Sequence, residues 1–192
     1  MIRIAIIGDI GSGKTFISKL FGYPTFNADE IVSKIYSKDK KTYYKLKKKL
    51  PNCLSNFPVK KDELIKAIIK NEKNIKIIST IIHPIVRRHL EQFLKKNKNN
   101  TVILDIPLFL ENKLDKKKDK IIFIDSNRRD ILKNIKIRKN YNKLVLKRLR
   151  KLQLPLYKKR RKSNFIIKNN FKVDLARKNV KNILRKILTW KR

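Results

Sequence analysis

Two kinds of hydrophobic pattern alternate along this chain. Short runs of consecutive apolar residues are typical of strands buried on both faces of a sheet, whereas apolar residues spaced three or four apart are typical of helices with one buried face. The short runs occupy residues 3–7, 101–106, 120–125 and 164–168, and a further short strand is predicted at residues 24–27. The helical spacing occupies residues 14–21, 29–37, 40–97, 127–139, 138–161 and 173–190, with breaks at Pro51, around Pro58 and at Pro155.

This order of strands and helices predicts an α/β fold, in which right-handed crossovers connect the strands of a doubly wound parallel sheet. The 192 residues suit one domain, and the sequence contains no internal repeat. We expect the first run, residues 3–7, to be a central strand because it is apolar throughout.

A glycine-rich loop joins the first predicted strand to the first predicted helix. Its sequence, GDIGSGKT at residues 8–15, satisfies the pattern GxxxxGK[ST] of P-loops in the structural context that this motif requires. We expect the backbone of Gly8, Gly11, Ser12 and Gly13 to surround the phosphates of ATP, with Lys14 bridging the β- and γ-phosphates and the Thr15 hydroxyl binding Mg²⁺. The loop therefore predicts a nucleotide site.

The P-loop leaves the phosphate acceptor open, since kinases, GTPases and motor ATPases share it. No plausible switch regions are recognisable in the sequence, which argues against a GTPase. Asp29 follows the second predicted strand. In a parallel sheet the carboxyl end of that strand borders the same crevice as the glycine-rich loop, so Asp29 is the candidate base for an acceptor hydroxyl. The alternative is that Asp29 is only a helix N-cap. Asp105 ends another buried run and either holds Mg²⁺ through a water or caps the following loop.

Residues 138–161 are rich in cations, among them Arg138, Arg148, Arg150, Lys158, Lys159 and Arg160. A segment of this kind can close over a triphosphate as a lid, stabilise the charge that is transferred and exclude water. For any single one of these side chains a solvated surface position is the alternative, because they are so numerous.

The chain is strongly basic, with 52 Lys and Arg against 15 Asp and Glu and a net charge of +37. Charge of this size commonly accompanies binding to nucleic acids or membrane surfaces. Here Lys is spread over nearly every predicted helix and loop, which favours a chain-wide compositional bias over a polyanion groove. In either case the positive field attracts anionic nucleotides.

Membrane insertion and export are not predicted. No apolar run approaches the roughly 20 residues of a transmembrane helix, and the residues after Met1 lack the features of an export signal. Cys53 is the single cysteine, which excludes an intramolecular disulfide. We therefore expect a cytosolic protein, and a monomer.

Five segments in chain order resemble the motifs of the dephospho-CoA kinase family. They are GDIGSGKT at 8–15, NADEIV at 27–32, IIHPIV at 81–86, ILDIPLFLEN at 103–112, and Gln153 followed by SNFIIKNN at 163–170. The resemblance spans nearly the whole chain, and the second, third and fourth segments together are more specific than the P-loop. It implies an enzyme that uses ATP to phosphorylate the ribose 3′-hydroxyl of dephospho-CoA, the final step of coenzyme A synthesis.

The resemblance also implies roles for single residues. The catalytic base would be Asp29, the acceptor side would include His83, Pro107 and Glu111, the lid arginine would be Arg138, the nucleotide-binding loop would extend to Phe16, and Asn169 would lie near the adenine of ATP. The chain departs from the family's pattern at Asn27, where the second motif usually begins with Asp, and at Phe171, where Gly usually follows the Asn pair.

The fold implied by the resemblance is a P-loop NTPase fold with a five-stranded parallel core at residues 1–37, 98–137 and 162–192. A helical acceptor-binding region would occupy about 38–97, and a lid about 138–161. Two other functions stay open, another small-molecule or nucleotide kinase of the same architecture and a basic nucleic-acid-binding P-loop protein.

Overall fold

A computed structural model describes residues 1–138 and 141–189 of the chain. The strands in these two ranges are β1 (Arg3–Gly8), β2 (Thr25–Asn27), β3 (Val102–Asp105), β4 (Lys120–Asp125) and β5 (Phe165–Lys168). The helices are α1 (Lys14–Leu20), α2 (Ala28–Lys38), α3 (Lys40–Lys49), α4 (Lys61–Lys70), α5 (Lys73–Lys96), α6 (Arg128–Lys136), α7 (Lys143–Lys151), α8 (Leu156–Arg161) and α9 (Val173–Thr189).

The five strands form one sheet in the order β2-β3-β1-β4-β5, and every pair of neighbours is parallel. Strand β1 lies at the centre, as its apolar sequence predicts. Side chains alternate between the two faces of a strand, and both Ile4 and Ala5 are fully buried, so helices or loops cover both faces of the sheet. The predicted parallel α/β sheet is therefore confirmed.

The chain packs as two compact units. The first consists of Met1–Asn27, Lys96–Tyr141 and Leu152–Arg192. It contains the sheet, and one of its cores is built from strand residues such as Ile6 and Ile122 together with Ile17 of α1 and Val180 of α9. All the carboxyl ends of the parallel strands lie at one edge of this unit's sheet, which gathers the loops that follow them.

The second unit consists of Ala28–Lys95 and Asn142–Lys151 and has a hydrophobic core of its own, to which Ile35, Leu46, Leu64 and Ile78 contribute. The guanidinium of Arg148 in α7 donates hydrogen bonds to the carbonyls of Ile68 and Ile69 in the last turn of α4. A cation at this position satisfies carbonyls that have no partner within the helix and complements the helix dipole. Arg148, which the sequence suggested as a lid cation, thus joins α7 to α4.

Residues 40–97 form three helices, α3 to α5. The predicted interruptions at Pro51 and Pro58 are confirmed, and a further one at Asn71 was missed. There the side chain of Asn71 accepts a hydrogen bond of 2.9 Å from the backbone N–H of Lys73, a local capping contact that competes with continued helix. Pro84 stands inside α5 without ending it.

The functional division into core, acceptor-binding region and lid stays a prediction, because the two units reflect packing alone. None of the helices in the described part of the chain is both long enough and apolar enough to cross a membrane.

Candidate active site

The glycine-rich loop between β1 and α1 is closed by its own backbone. The carbonyl of Asp9 accepts hydrogen bonds from the N–H of Ser12 at 3.2 Å and from the ammonium of Lys14 at 2.8 Å. The Asp9 carboxylate in turn accepts from the N–H of Ile10 at 2.7 Å. Helix α1 starts directly after Gly13, so its first N–H groups face the end of the loop.

Helix α6 packs directly against this loop, at Gly11. The residue has φ +86, and a methyl group placed on it would lie 2.5 Å from Cδ1 of Ile135 and 3.3 Å from Cγ2 of Ile131. Both the backbone angle and the close approach of α6 therefore require glycine. The loop shape depends on a helix that ends two residues before Arg138.

Two side chains at the carboxyl edge of the sheet hold the carbonyl of Ser12. The hydroxyl of Ser126, just after β4, donates to it at 3.0 Å, and the side-chain amide of Asn169, just after β5, donates at 2.9 Å. The Ser12 carbonyl and the Gly13 N–H belong to one planar trans peptide and point in opposite directions. The two hydrogen bonds to the carbonyl therefore orient the Gly13 N–H away from Ser126 and Asn169. Sequence reasoning missed Ser126, although its place after a parallel strand was a usable signal.

Asn169 is 3% exposed, and its carboxamide is engaged on both sides, since its oxygen also accepts from the N–H of Phe171 at 3.1 Å. The structure thus places this residue against the loop backbone, and its predicted position near adenine stays a prediction.

The two predicted magnesium ligands lie in contact. The hydroxyl of Thr15 donates to Oδ2 of Asp105 at 2.6 Å, and the side-chain amide of Asn27 donates to the same oxygen at 3.1 Å. Asp105 is 3% exposed. A hydroxyl and a carboxylate are the hard oxygen donors that Mg²⁺ prefers, and Mg²⁺ takes its remaining ligands from phosphates and water. Within residues 1–138 and 141–189 no group of three or more His, Cys, Asp or Glu could hold a metal ion.

Glu111 and Lys159 form a buried ion pair beside the loop. The Lys159 ammonium lies 2.8 Å from Oε1 of Glu111, and the side chains are 3% and 11% exposed, respectively. The same oxygen accepts the N–H of Leu154 at 2.9 Å. Together with Gly8, Lys14, Pro107 and Gln153, the pair lines one pocket. The resemblance assigned Glu111 to the acceptor side. In the structure its carboxylate contacts Lys159 and Leu154, which belong to the first unit.

Four further predicted residues, Asp29, Phe16, Arg138 and Arg160, are exposed. Asp29 lies in the first turn of α2, where a carboxylate is favoured by the helix dipole. Phe16 of α1 is 39% exposed, and Arg138 is exposed beyond the end of α6. Arg160 forms a partly exposed ion pair of 3.3 Å with Asp125. The catalytic, nucleotide-binding and lid roles of these residues stay predictions.

His83 lies in a groove along α5 with a volume of about 520 Å³, and Pro84 lines it as well. The other lining residues are Lys76, Ser79, Thr80, Arg87, Arg88 and Glu91. Burial, and secondarily the positive charge of Arg87, lowers the pKa of His83 below its ordinary value of 6.5. The imidazole is therefore neutral at pH 7, and the fixed charges of this groove are mainly positive.

The low pKa of His83 predicts a loss of stability in mild acid. Below pH 6.5 the unfolded chain takes up a proton at this position more readily than the folded protein does, so the free energy of unfolding falls as the pH falls. We expect the thermal midpoint to fall between pH 7 and pH 5.5, and to fall less in His83→Gln. His89, the other histidine, is exposed, so His89→Gln should behave like the natural chain. Equal pH dependence in His83→Gln and the natural chain would contradict this account.

A family model described as dephospho-CoA kinase matches residues 2–174. A dephospho-CoA kinase of Wolbachia sp. subsp. Brugia malayi is 32% identical over 187 residues, covering 94% of this chain and 95% of the relative. Among solved structures, a Thermus thermophilus protein superposes with a TM-score of 0.76 at 22% identity, covering 96% of this chain and 97% of the other. A dephospho-CoA kinase from Campylobacter jejuni superposes with a TM-score of 0.64 at 24% identity, covering 96% of each chain. At these identities the solved structures bear on the fold alone, and they confirm the predicted α/β fold with its five-stranded parallel sheet.

Proposed function

The chain belongs to the dephospho-CoA kinase family of phosphotransferases, and we propose that it transfers the γ-phosphate of ATP to the ribose 3′-hydroxyl of dephospho-CoA, giving ADP and coenzyme A. The observation that carries the proposal is the P-loop itself. Lys14 and Thr15 stand at the start of α1, and Thr15 is hydrogen-bonded to the buried Asp105 at the end of β3. A loop of this construction supplies amides, an ammonium and a hydroxyl to a nucleoside triphosphate.

In the proposed reaction, the 3′-oxygen of dephospho-CoA attacks the γ-phosphorus of ATP, and the bond between that phosphorus and the oxygen bridging to the β-phosphate breaks. The proton of the hydroxyl passes to the carboxylate of Asp29. Lys14 and the loop amides hold the β- and γ-phosphates while charge moves onto ADP. Arg138, from the segment proposed as the lid, neutralises part of this charge and helps to exclude water.

We propose that Thr15 and Asp105 hold Mg²⁺, Thr15 directly and Asp105 through a water. Bound there, Mg²⁺ would neutralise phosphate charge. Asn27 supports the arrangement because its amide donor orients the carboxylate of Asp105. Here the chain uses an amide where the family usually has a carboxylate, so it offers one negative charge fewer beside the proposed metal.

The groove along α5 is the proposed place for the diphosphate part of dephospho-CoA. Lys76, Arg87 and Arg88 line it with positive charge, and the neutral His83 adds a hydrogen-bonding group. The resemblance assigned His83 to the acceptor side, and the cationic lining supports an anionic acceptor there. We place Pro107 and Glu111 near the acceptor only through their pocket beside the P-loop.

The test supplies the purified protein with ATP, Mg²⁺ and dephospho-CoA and measures ADP and coenzyme A. We expect one coenzyme A for each ADP, loss of activity with EDTA, and no phosphorylation of nucleoside monophosphates or sugars. Activity on one of those acceptors alone would instead indicate another kinase of this architecture.

We further propose a cytosolic, monomeric enzyme whose +37 charge draws anionic substrates to it without selecting a nucleic acid. Binding to RNA should therefore be weak and should decline steeply with salt. Tight, selective RNA binding without ATP binding would favour the nucleic-acid-binding alternative.

A further inference from the structure

Phe171 adopts an unusual backbone conformation beside the glycine-rich loop. It lies just beyond β5 with φ +63, in the left-handed region that side chains with a β-carbon rarely adopt. Its N–H donates to the side-chain oxygen of Asn169 at 3.1 Å, and the nitrogen of that amide holds the carbonyl of Ser12. The turn that carries Phe171 is thus tied to the loop by two successive hydrogen bonds.

The ring of Phe171 lies against the loop backbone. A methyl group on Gly13 would stand 3.3 Å from its Cε1 atom, which is tighter than ordinary van der Waals contact. The side chain is half-exposed. The apolar ring thus meets a glycine of the loop on one side and is partly open to solvent.

The order of the strands indicates which part of ATP would meet this ring. Thr15 and Asp105 mark the β3 side of the central strand, where the proposed Mg²⁺ would meet the β- and γ-phosphates. Phe171 follows β5, on the opposite side of that strand, which is next to β4. A triphosphate whose γ-end points toward β3 directs its nucleoside toward β4 and β5. The ring of Phe171 therefore lies on the β4 and β5 side of the sheet, where the base would lie.

We infer that Phe171 is a platform on which the purine base of the nucleotide stacks. The inference rests on the proposed function, because it assumes that the loop binds ATP. An aromatic ring held at positive φ is costly to the fold, and such conformations concentrate at ligand sites. Every base presents a π-face, so stacking recognises the presence of a base and discriminates little between adenine and guanine.

The test compares the binding of ATP, GTP and inorganic tripolyphosphate to the natural chain and to Phe171→Leu by calorimetry. Leucine retains an apolar side chain and the same backbone restriction but has no π-face. We expect the dissociation constants of ATP and GTP to rise in parallel by about 5- to 100-fold, whereas that of tripolyphosphate changes less than about twofold. In turnover, KM for ATP should rise with kcat nearly unchanged, because the base is remote from the reacting atoms.

Three further variants separate stacking from a structural role. Phe171→Tyr keeps the ring and should bind ATP like the natural chain. Phe171→Gly removes both ring and backbone restriction, and it should lose ATP affinity as Phe171→Leu does although glycine suits the positive φ. Tyr44→Leu removes a ring that is 66% exposed on α3 and should leave binding unchanged.

Equal losses for tripolyphosphate and ATP in Phe171→Leu, or no loss for either, would overturn the platform while leaving the kinase assignment intact. Failure of the natural chain to bind any of the three ligands would instead overturn the proposed function itself.

Discussion

Asp29→Asn should lower kcat for coenzyme A formation by about 10²- to 10⁴-fold, the range expected when a general base is removed. Asparagine matches aspartate in size and suits the start of a helix, and Asp29 is exposed, so the fold should change little. ATP binding should also survive, because the proposed phosphate contacts come from the glycine-rich loop. The measurement is coenzyme A and ADP produced at saturating ATP, together with the rise in thermal midpoint that ATP causes in each variant.

Glu30→Gln is the matched control for this experiment. Glu30 lies beside Asp29 in the first turn of α2 and is also exposed, so its substitution removes the same charge from the same helix end. We expect its turnover to stay within about threefold of the natural chain, since a nearby surface charge has a small effect. Near-normal turnover in Asp29→Asn, with folding and ATP binding intact, would show that another group accepts the proton.

Features that depend on local pattern were predicted well from the sequence. Four of the five strands are short apolar runs, and the loop at residues 8–15 carries its own motif, so most of the sheet and the position of the loop followed directly. The contact between Thr15 and Asp105 could also have been predicted. Asp105 ends β3, and Thr15 follows the loop after β1, the parallel neighbour of β3, so both lie at the same edge of the sheet.

The exact hydrogen-bond partners of side chains at the carboxyl edge of the sheet were not predictable, even where the place of a residue after a parallel strand, as for Ser126, indicated that edge. The hydrogen bonds from Ser126 and Asn169 to the carbonyl of Ser12 join residues 114 and 157 positions apart, and periodicity carries no information about such pairs. Arg148 illustrates the same limit. Its charge suggested a lid contact, whereas its partners are the backbone carbonyls at the end of α4, groups that a sequence does not distinguish from any others.

The resemblance identified Glu111 as a site residue but did not identify Lys159 as its ion-pair partner. The sequence placed it in the motif following β3, and its partner Lys159 was one of many cations in the predicted lid. In the structure these two charges are buried together beside the loop. In a chain with 52 Lys and Arg against 15 Asp and Glu, a buried carboxylate that balances the charge of Lys159 limits its repulsion with Lys14, which lines the same pocket.

Lys159→Met should destabilise the protein by about 3–5 kcal/mol, because it leaves the carboxylate of Glu111 buried without its counter-ion. Methionine fills much of the volume of the lysine stem, so the loss reports mainly the charge. The double variant Glu111→Gln with Lys159→Met removes both charges and keeps an oxygen that can accept the N–H of Leu154. It should recover at least half of the lost stability, since a buried ion pair replaced by neutral groups is often nearly neutral in energy.

The measurement is the midpoint and slope of urea unfolding for the natural chain, both single variants and the double variant. Arg160→Met is the matched control in the same helix: its ion pair with Asp125 is 54% and 34% exposed, so its loss should cost less than about 1 kcal/mol. Strictly additive losses in the double variant would mean that the two charges act independently, and the contact between them would then contribute nothing to holding α8 beside the loop. A non-additive recovery would identify the pair as one unit, in which each charge neutralises the other.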